Sequence, residues 1–142
     1  MSPRLVVLLV AVLLLAGACS TAGSSGSDEP TPTPDYTPIA DDELYSRISA
    51  LPGVEKAEIS LNDTFPDYAY VGEVDISADA DAQTVLDTIY ATLRQGRYRA
   101  AINITGYQSG RDVRLEALDR SGGPTELEKR YGPQPGDGTP PA

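Results

Sequence analysis

The chain has 142 residues, with 21 acidic against 11 basic side chains and a net charge of −10 at neutral pH. An acidic chain is repelled by phosphate backbones, so no nucleic acid is expected among its partners. It has no histidine, no tryptophan and one cysteine, which removes imidazole acid–base work, Ser-His-Asp and Cys-His machinery, intrachain disulfides and thiolate or imidazole zinc sites; no cofactor is expected.

Residues 1–4 are short and positively charged, residues 5–15 are an unbroken apolar run, and Ala16, Gly17 and Ala18 offer small side chains to a peptidase. These are the three parts of a secretory signal. The apolar run is too short to span a hydrocarbon core of roughly 30 Å, which takes about 20 apolar residues, so residues 1–18 are read as a removable signal peptide. Cys19, the only cysteine, follows directly. The segment resembles a bacterial lipoprotein precursor, with Ala16 in the aliphatic place of the lipobox and Gly17 and Ala18 as the small residues before the modified cysteine. The resemblance implies cleavage before Cys19, a diacylglyceryl thioether on its sulfur, further acylation by chains such as palmitate, and anchorage on the extracytoplasmic face of the cell membrane. The alternative is ordinary cleavage at Ala16-Gly17-Ala18, which leaves a free secreted protein.

Cleavage leaves residues 19–142, enough for one domain with flexible ends, and loss of Arg4 takes the charge to −11. Residues 19–40 pair the lipidated cysteine with a Ser/Gly-rich and then Pro/Thr-rich stretch that has almost nothing to bury. They read as a tether, its second half an extended spacer of about 3 Å per residue.

A domain over residues 41–120 follows. Asp41, Asp42 and Glu43 suit a helix N-terminus, Leu44, Ile48 and Leu51 form its apolar stripe, and Pro52-Gly53 stops it. Ala57, Ile59 and Leu61 then alternate with polar residues as a strand. After a turn at residues 62–67 a second strand alternates Tyr68, Tyr70, Gly72, Val74 and Ile76 with Ala69, Val71, Glu73 and Asp75. Ser77 or Asp79 opens a second helix carrying Ala82, Val85, Leu86, Ile89, Tyr90 and Leu93, and Arg94 and Gly96 close it. Tyr98, Ala100, Ile102 and Ile104 give a third strand, and Val113, Leu115 and Ala117 a fourth beyond the Ser109-Gly110 turn. The order αββαββ predicts an α+β two-layer sandwich, a four-stranded, mainly antiparallel sheet with two helices on one face. Residues 121–142 read as a flexible tail with a short helix opened by the T-x-x-E pattern of Thr125 to Glu128.

Charge is uneven along the chain: residues 28–93 hold fifteen acidic and two basic side chains, residues 94–120 six arginines and three acids. Two readings are open. Arg97, Arg99, Arg111 and Arg114 form a basic patch for lipid head groups or an anionic envelope polymer, or the arginines pair across strands with Glu58, Glu73 and Asp75. Asp79 and Asp81 read as helix-capping residues and the segment at residues 75–84 lacks an EF-hand ligand pattern, so no metal is expected. Tyr68, Tyr70, Tyr90 and Tyr98 fall on core faces.

The domain resembles small actinobacterial envelope lipoproteins. Together with the missing nucleophile–base residue types, this points to a non-catalytic binding or scaffolding module for an envelope protein or polymer, attached to the membrane through Cys19. The alternative is a carboxylate-dependent hydrolase acting on envelope polysaccharide or peptidoglycan, which requires two facing carboxyl groups about 5 to 9.5 Å apart.

Overall fold

The computed structural model describes residues 35–64, 68–118 and 122–142. The expected signal peptide, Cys19, residues 20–34 of the expected tether and residues 65–67 of the turn lie outside the described residues. Seven elements follow in order: α1 (Asp41–Ser49), β1 (Val54–Asn62), β2 (Ala69–Ile76), α2 (Ala82–Leu93), β3 (Ala101–Gln108), β4 (Arg111–Val113) and α3 (Pro124–Tyr131). This is the expected α+β sandwich, and the short helix expected near the end is α3, which opens at Gly123 and Pro124 without a side-chain cap and not through the Thr125 pattern.

Helix α1 has no side-chain cap at Ala40, and its first turn is three acids whose charge complements the exposed N–H groups. Its Leu44 and Ile48 are fully buried. The chain reverses through Gly53, whose φ of +84° suits a residue without a Cβ. In β1 and β2, Ala57, Ile59, Leu61, Tyr70, Val74 and Ile76 belong to or pack on the core, while Glu58, Glu73 and Asp75 are exposed on the far side. Alternation with a period of two thus assigns one sheet face to the helices and leaves the other in water. At Gly72 the strands approach so closely that a Cβ would stand 2.2 Å from the Glu58 carbonyl oxygen.

Of the two acids read as capping residues, Asp81 caps helix α2, its carboxylate accepting the Thr84 N–H at 2.8 Å, while Ser77 and Asp79, read as its opening, lie before it. Val85, Leu86, Ile89, Tyr90 and Leu93 fill the center of the core. Because α2 crosses over the sheet, β3 runs parallel to β2, whereas β1–β2 and β3–β4 are antiparallel; the sheet order is β1-β2-β3-β4.

The fourth strand is shorter than expected. It holds Arg111–Val113 only; Leu115 is buried beyond its end and Ala117 is exposed. The β3–β4 turn is a two-residue hairpin with positive φ at Ser109 (52°) and Gly110 (75°). Packing continues past residue 120. Leu127 of α3 is fully buried, and Asp87 of α2 accepts from the Arg130 guanidinium and from the Tyr131 hydroxyl, the latter at 2.5 Å.

Further along, Gln134 donates to the carbonyls of Arg94 (2.8 Å) and Arg97 (3.2 Å) and to the Tyr36 hydroxyl (3.3 Å), and accepts the Arg99 N–H (2.7 Å). Tyr36 itself donates to the Gly96 carbonyl at 2.7 Å. The segments before α1 and after α3 therefore dock on the same turn. No helix among the described residues is long and apolar enough to cross a membrane.

Candidate functional site

The four arginines singled out by charge do not gather into one patch. Arg97 and Arg99 precede β3, while Arg111 pairs with Gln108 at the other end of that strand. At about 3.3 Å per residue those ends stand roughly 23 Å apart. Arg97 lays its guanidinium over the Tyr68 ring, 5.1 Å from the centroid, and its N–H donates to the Tyr70 hydroxyl at 2.9 Å. Arg99 adopts a left-handed φ of 55°, held by the Gln134 side chain on its N–H.

Cross-strand pairing with the acids does not occur either. Among the described residues the ion pairs are Arg47–Glu43, Lys56–Glu58 and Arg130–Asp87, and none uses the four arginines. The uncovered sheet face is instead acidic at one end, where Glu58 stands directly opposite Glu73 and Lys56 opposite Asp75. Lys56 sits 2.9 Å from Glu58, whose hydrogen bond raises the ammonium pKa. Tyr107 donates to Glu73 at 3.3 Å, and the nearby Glu73 charge raises its phenol pKa. No group of three acids or cysteines that could hold a metal ion occurs among the described residues.

Arg114 leads to a more developed feature. The outer edge of β3 is covered at Gly106 to Gln108 by β4 and at Ile102 by a bridge to Gly122, whose carbonyl accepts the Ile102 N–H at 2.7 Å. Between these points the Ile104 N–H donates to the Tyr90 hydroxyl at 3.3 Å, a phenol reaching from α2 to the sheet edge. Burial raises the Tyr90 pKa, opposed by the Ile104 N–H and the Arg114 charge, so it is a neutral hydroxyl beside a cation.

Here the chain after β4 leaves a cleft of about 490 Å³ lined by Tyr90, Asn103, Thr105, Arg114, Glu116 and Leu118 among others. One α2 side chain fixes its outer wall: Gln83 donates to the Arg114 carbonyl at 3.0 Å and accepts the Glu116 N–H at 2.9 Å, with Leu115 plugged into the core between them. An arginine, a phenol, an amide and a hydroxyl in one recess can hydrogen-bond a polar or anionic group.

Two further clefts are described. One of about 120 Å³ lies between Arg94, Arg99, Glu128 and Gln134; another of about 350 Å³ lies between Leu118, Glu126, Lys129 and Arg130. Among the described residues, the lining of each of the three clefts includes one glutamate and at least one arginine.

Sequence reasoning missed Gln83 and Gln134, the two side chains that set the cleft wall and the terminal dock. Neither belongs to a periodic stripe or a motif, so no local signal marks them. Compared with known proteins, the chain matches no family model, no curated protein and no solved structure.

Proposed function

We propose that the protein is a lipid-anchored module on the extracytoplasmic face of the cell membrane, joined to the bilayer through Cys19, which binds an envelope protein or polymer without transforming it. The observation that carries this reading is the position of the only cysteine, directly after an apolar run and three small residues and ahead of a Ser/Gly and Pro/Thr stretch. Two acyl chains give durable attachment where one gives only marginal binding. Arg114 and its neighbours give the domain a place to receive a polar or anionic group of the partner.

The test is metabolic labelling with a palmitate analogue followed by in-cell crosslinking of the full chain, its Cys19→Ala variant and its Arg114→Glu variant. The reading expects label on the wild type and on Arg114→Glu, none on Cys19→Ala, and one envelope component captured by the wild type alone. Unlabelled wild type that fractionates with the medium supports the secreted alternative. Release of cleaved glycan by purified protein, abolished at one glutamate, supports the hydrolase.

A further inference from the structure

The two edges of the sheet are treated differently. At one side β4 is only three residues long; at the other, β1 runs for nine, V-E-K-A-E-I-S-L-N, with no proline or glycine. A long edge strand with alternating apolar residues offers its backbone to another strand unless something blocks it. The only irregularity in β1 is a bulge between Val54 and Lys56, which leaves residues 56–62 regular.

Backbone parity shows which groups are on offer. Ala101 N–H donates to the Tyr68 carbonyl, so the even residues of β2 point toward β3 and the odd ones toward β1. The hydrogen-bonded pairs of the first hairpin are therefore Lys56 with Asp75, Glu58 with Glu73, Ser60 with Val71 and Asn62 with Ala69. Ala57, Ile59 and Leu61 direct their N–H and C=O groups outward. Consistent with this, the Leu61 N–H faces the oxygen of Tyr45, a half-exposed α1 side chain. Ala57 and Ile59 make no further backbone hydrogen bond among the described residues. On the helix side of the sheet, Ala57, Ile59 and Leu61 remain partly exposed, whereas Tyr70 and Val74 of the adjoining strand are fully buried.

We propose that β1 pairs antiparallel with β1 of a second copy of this chain, with Ile59 opposite Ile59 of that copy, giving one continuous eight-stranded sheet. The regular stretch, residues 56–62, has Ile59 at its midpoint, so this register uses all of it. It sets Ala57 against Leu61 and Ile59 against Ile59 on the helix side, extending both cores across the junction. On the wet side it sets Glu58 against Ser60 and Lys56 against Asn62, with no like charges opposed. A shift one way sets Glu58 against Glu58; a shift the other way forfeits two paired residues at the bulge end. The outward groups of residues 57 and 59 meet their counterparts in hydrogen-bonding phase, and the Leu61 N–H joins them once the Tyr45 side chain turns away from it. This proposal stands independently of the lipid anchor and of the cleft beside β3.

The test is sedimentation of the purified full chain in detergent over a concentration series, with Ser60→Glu, Ser60→Lys and Ala57→Pro. Each Ser60 substitution alters two symmetry-related contacts with Glu58 of the other copy. Ser60→Glu is expected to weaken the dimer and Ser60→Lys to strengthen it, each by about 2- to 30-fold, with the difference collapsing in 1 M salt. Ala57→Pro removes only an outward N–H and is expected to give folded monomer, as judged by its circular dichroism. If that variant does not fold, the Ser60 pair decides. A wild type that stays monomeric up to about 1 mM overturns the proposal. So does a dimer indifferent to both Ser60 substitutions, or a monomer whose Ala57 and Ile59 amides are protected from exchange by residues 20–34 of its own chain.

Discussion

The Tyr70 hydroxyl donates to Asp41 Oδ1 at 2.8 Å, joining an inner strand of the sheet to the first turn of α1. The same oxygen accepts the Arg97 N–H at 2.9 Å, so one fully buried phenol ties together β2, α1 and the turn after α2. Tyr70→Phe keeps the ring and removes the shared partner of a carboxylate and an amide. It is expected to cost about 1 to 3 kcal/mol, seen as a lower urea midpoint with an unchanged slope.

Alkaline pH should destabilise the fold more than mild acid does. Burial raises the phenol pKa of Tyr36, Tyr45, Tyr70, Tyr90 and Tyr131 above the ordinary value of 10.0. A group whose folded pKa exceeds its unfolded one contributes stability that is complete below the unfolded pKa and is lost as pH rises through the folded pKa. Stability is therefore expected to hold up to about pH 10 and to fall beyond it. Tyrosinate absorbance near 295 nm should rise in step with loss of helix signal; independent titration of these phenols in a folded protein would contradict this.

Asp87→Ala should release α3. The side chain is 13 % exposed and receives Arg130 and Tyr131, so its removal leaves a half-buried guanidinium and a phenol without their acceptor. The expected loss is about 2 to 3 kcal/mol, moderated by the partial exposure of Arg130. Hydrogen exchange should quicken over residues 124–131 before the sheet is affected.

Ser109→Asn is expected to stabilise the β3–β4 hairpin by about 0.5 kcal/mol. Both turn residues have positive φ, and asparagine followed by glycine suits that geometry better than serine does. Thermal denaturation reads the gain as a small upward shift of the midpoint.

What the sequence made legible was local. Leu44 and Ile48 in α1, and Val85, Leu86, Ile89 and Leu93 in α2, mark their buried faces by helical spacing alone. Strand direction is a different matter, because alternation in Ile102 and Ile104 is the same whether β3 runs parallel or antiparallel to β2. Arg97 and Arg111 flank β3 at opposite ends whichever way it runs beside β2, but which acids stand next to each of them depends on that direction, so the basic patch and cross-strand pairing both stay open in the sequence. Leu115 continues the alternation of β4 although the strand has ended, since Gln83 of α2 takes over the backbone partners of residues 114 and 116. The cleft wall is thus set by a contact 31 residues away in sequence.

Gln134 and Tyr36 share a hydrogen bond and dock on one turn, which makes the described fold nearly a closed loop of chain. A short bridging segment could join these two positions, and new ends could be opened at Ser109-Gly110, where the hairpin turn is exposed. The rearranged molecule would keep every strand pairing except the three-residue contact of β4, which would now depend on Gln83 and the buried Leu115 to find its place. By the same closeness of its ends, the domain can be carried as an insert within a surface loop of a host protein without prying that loop apart.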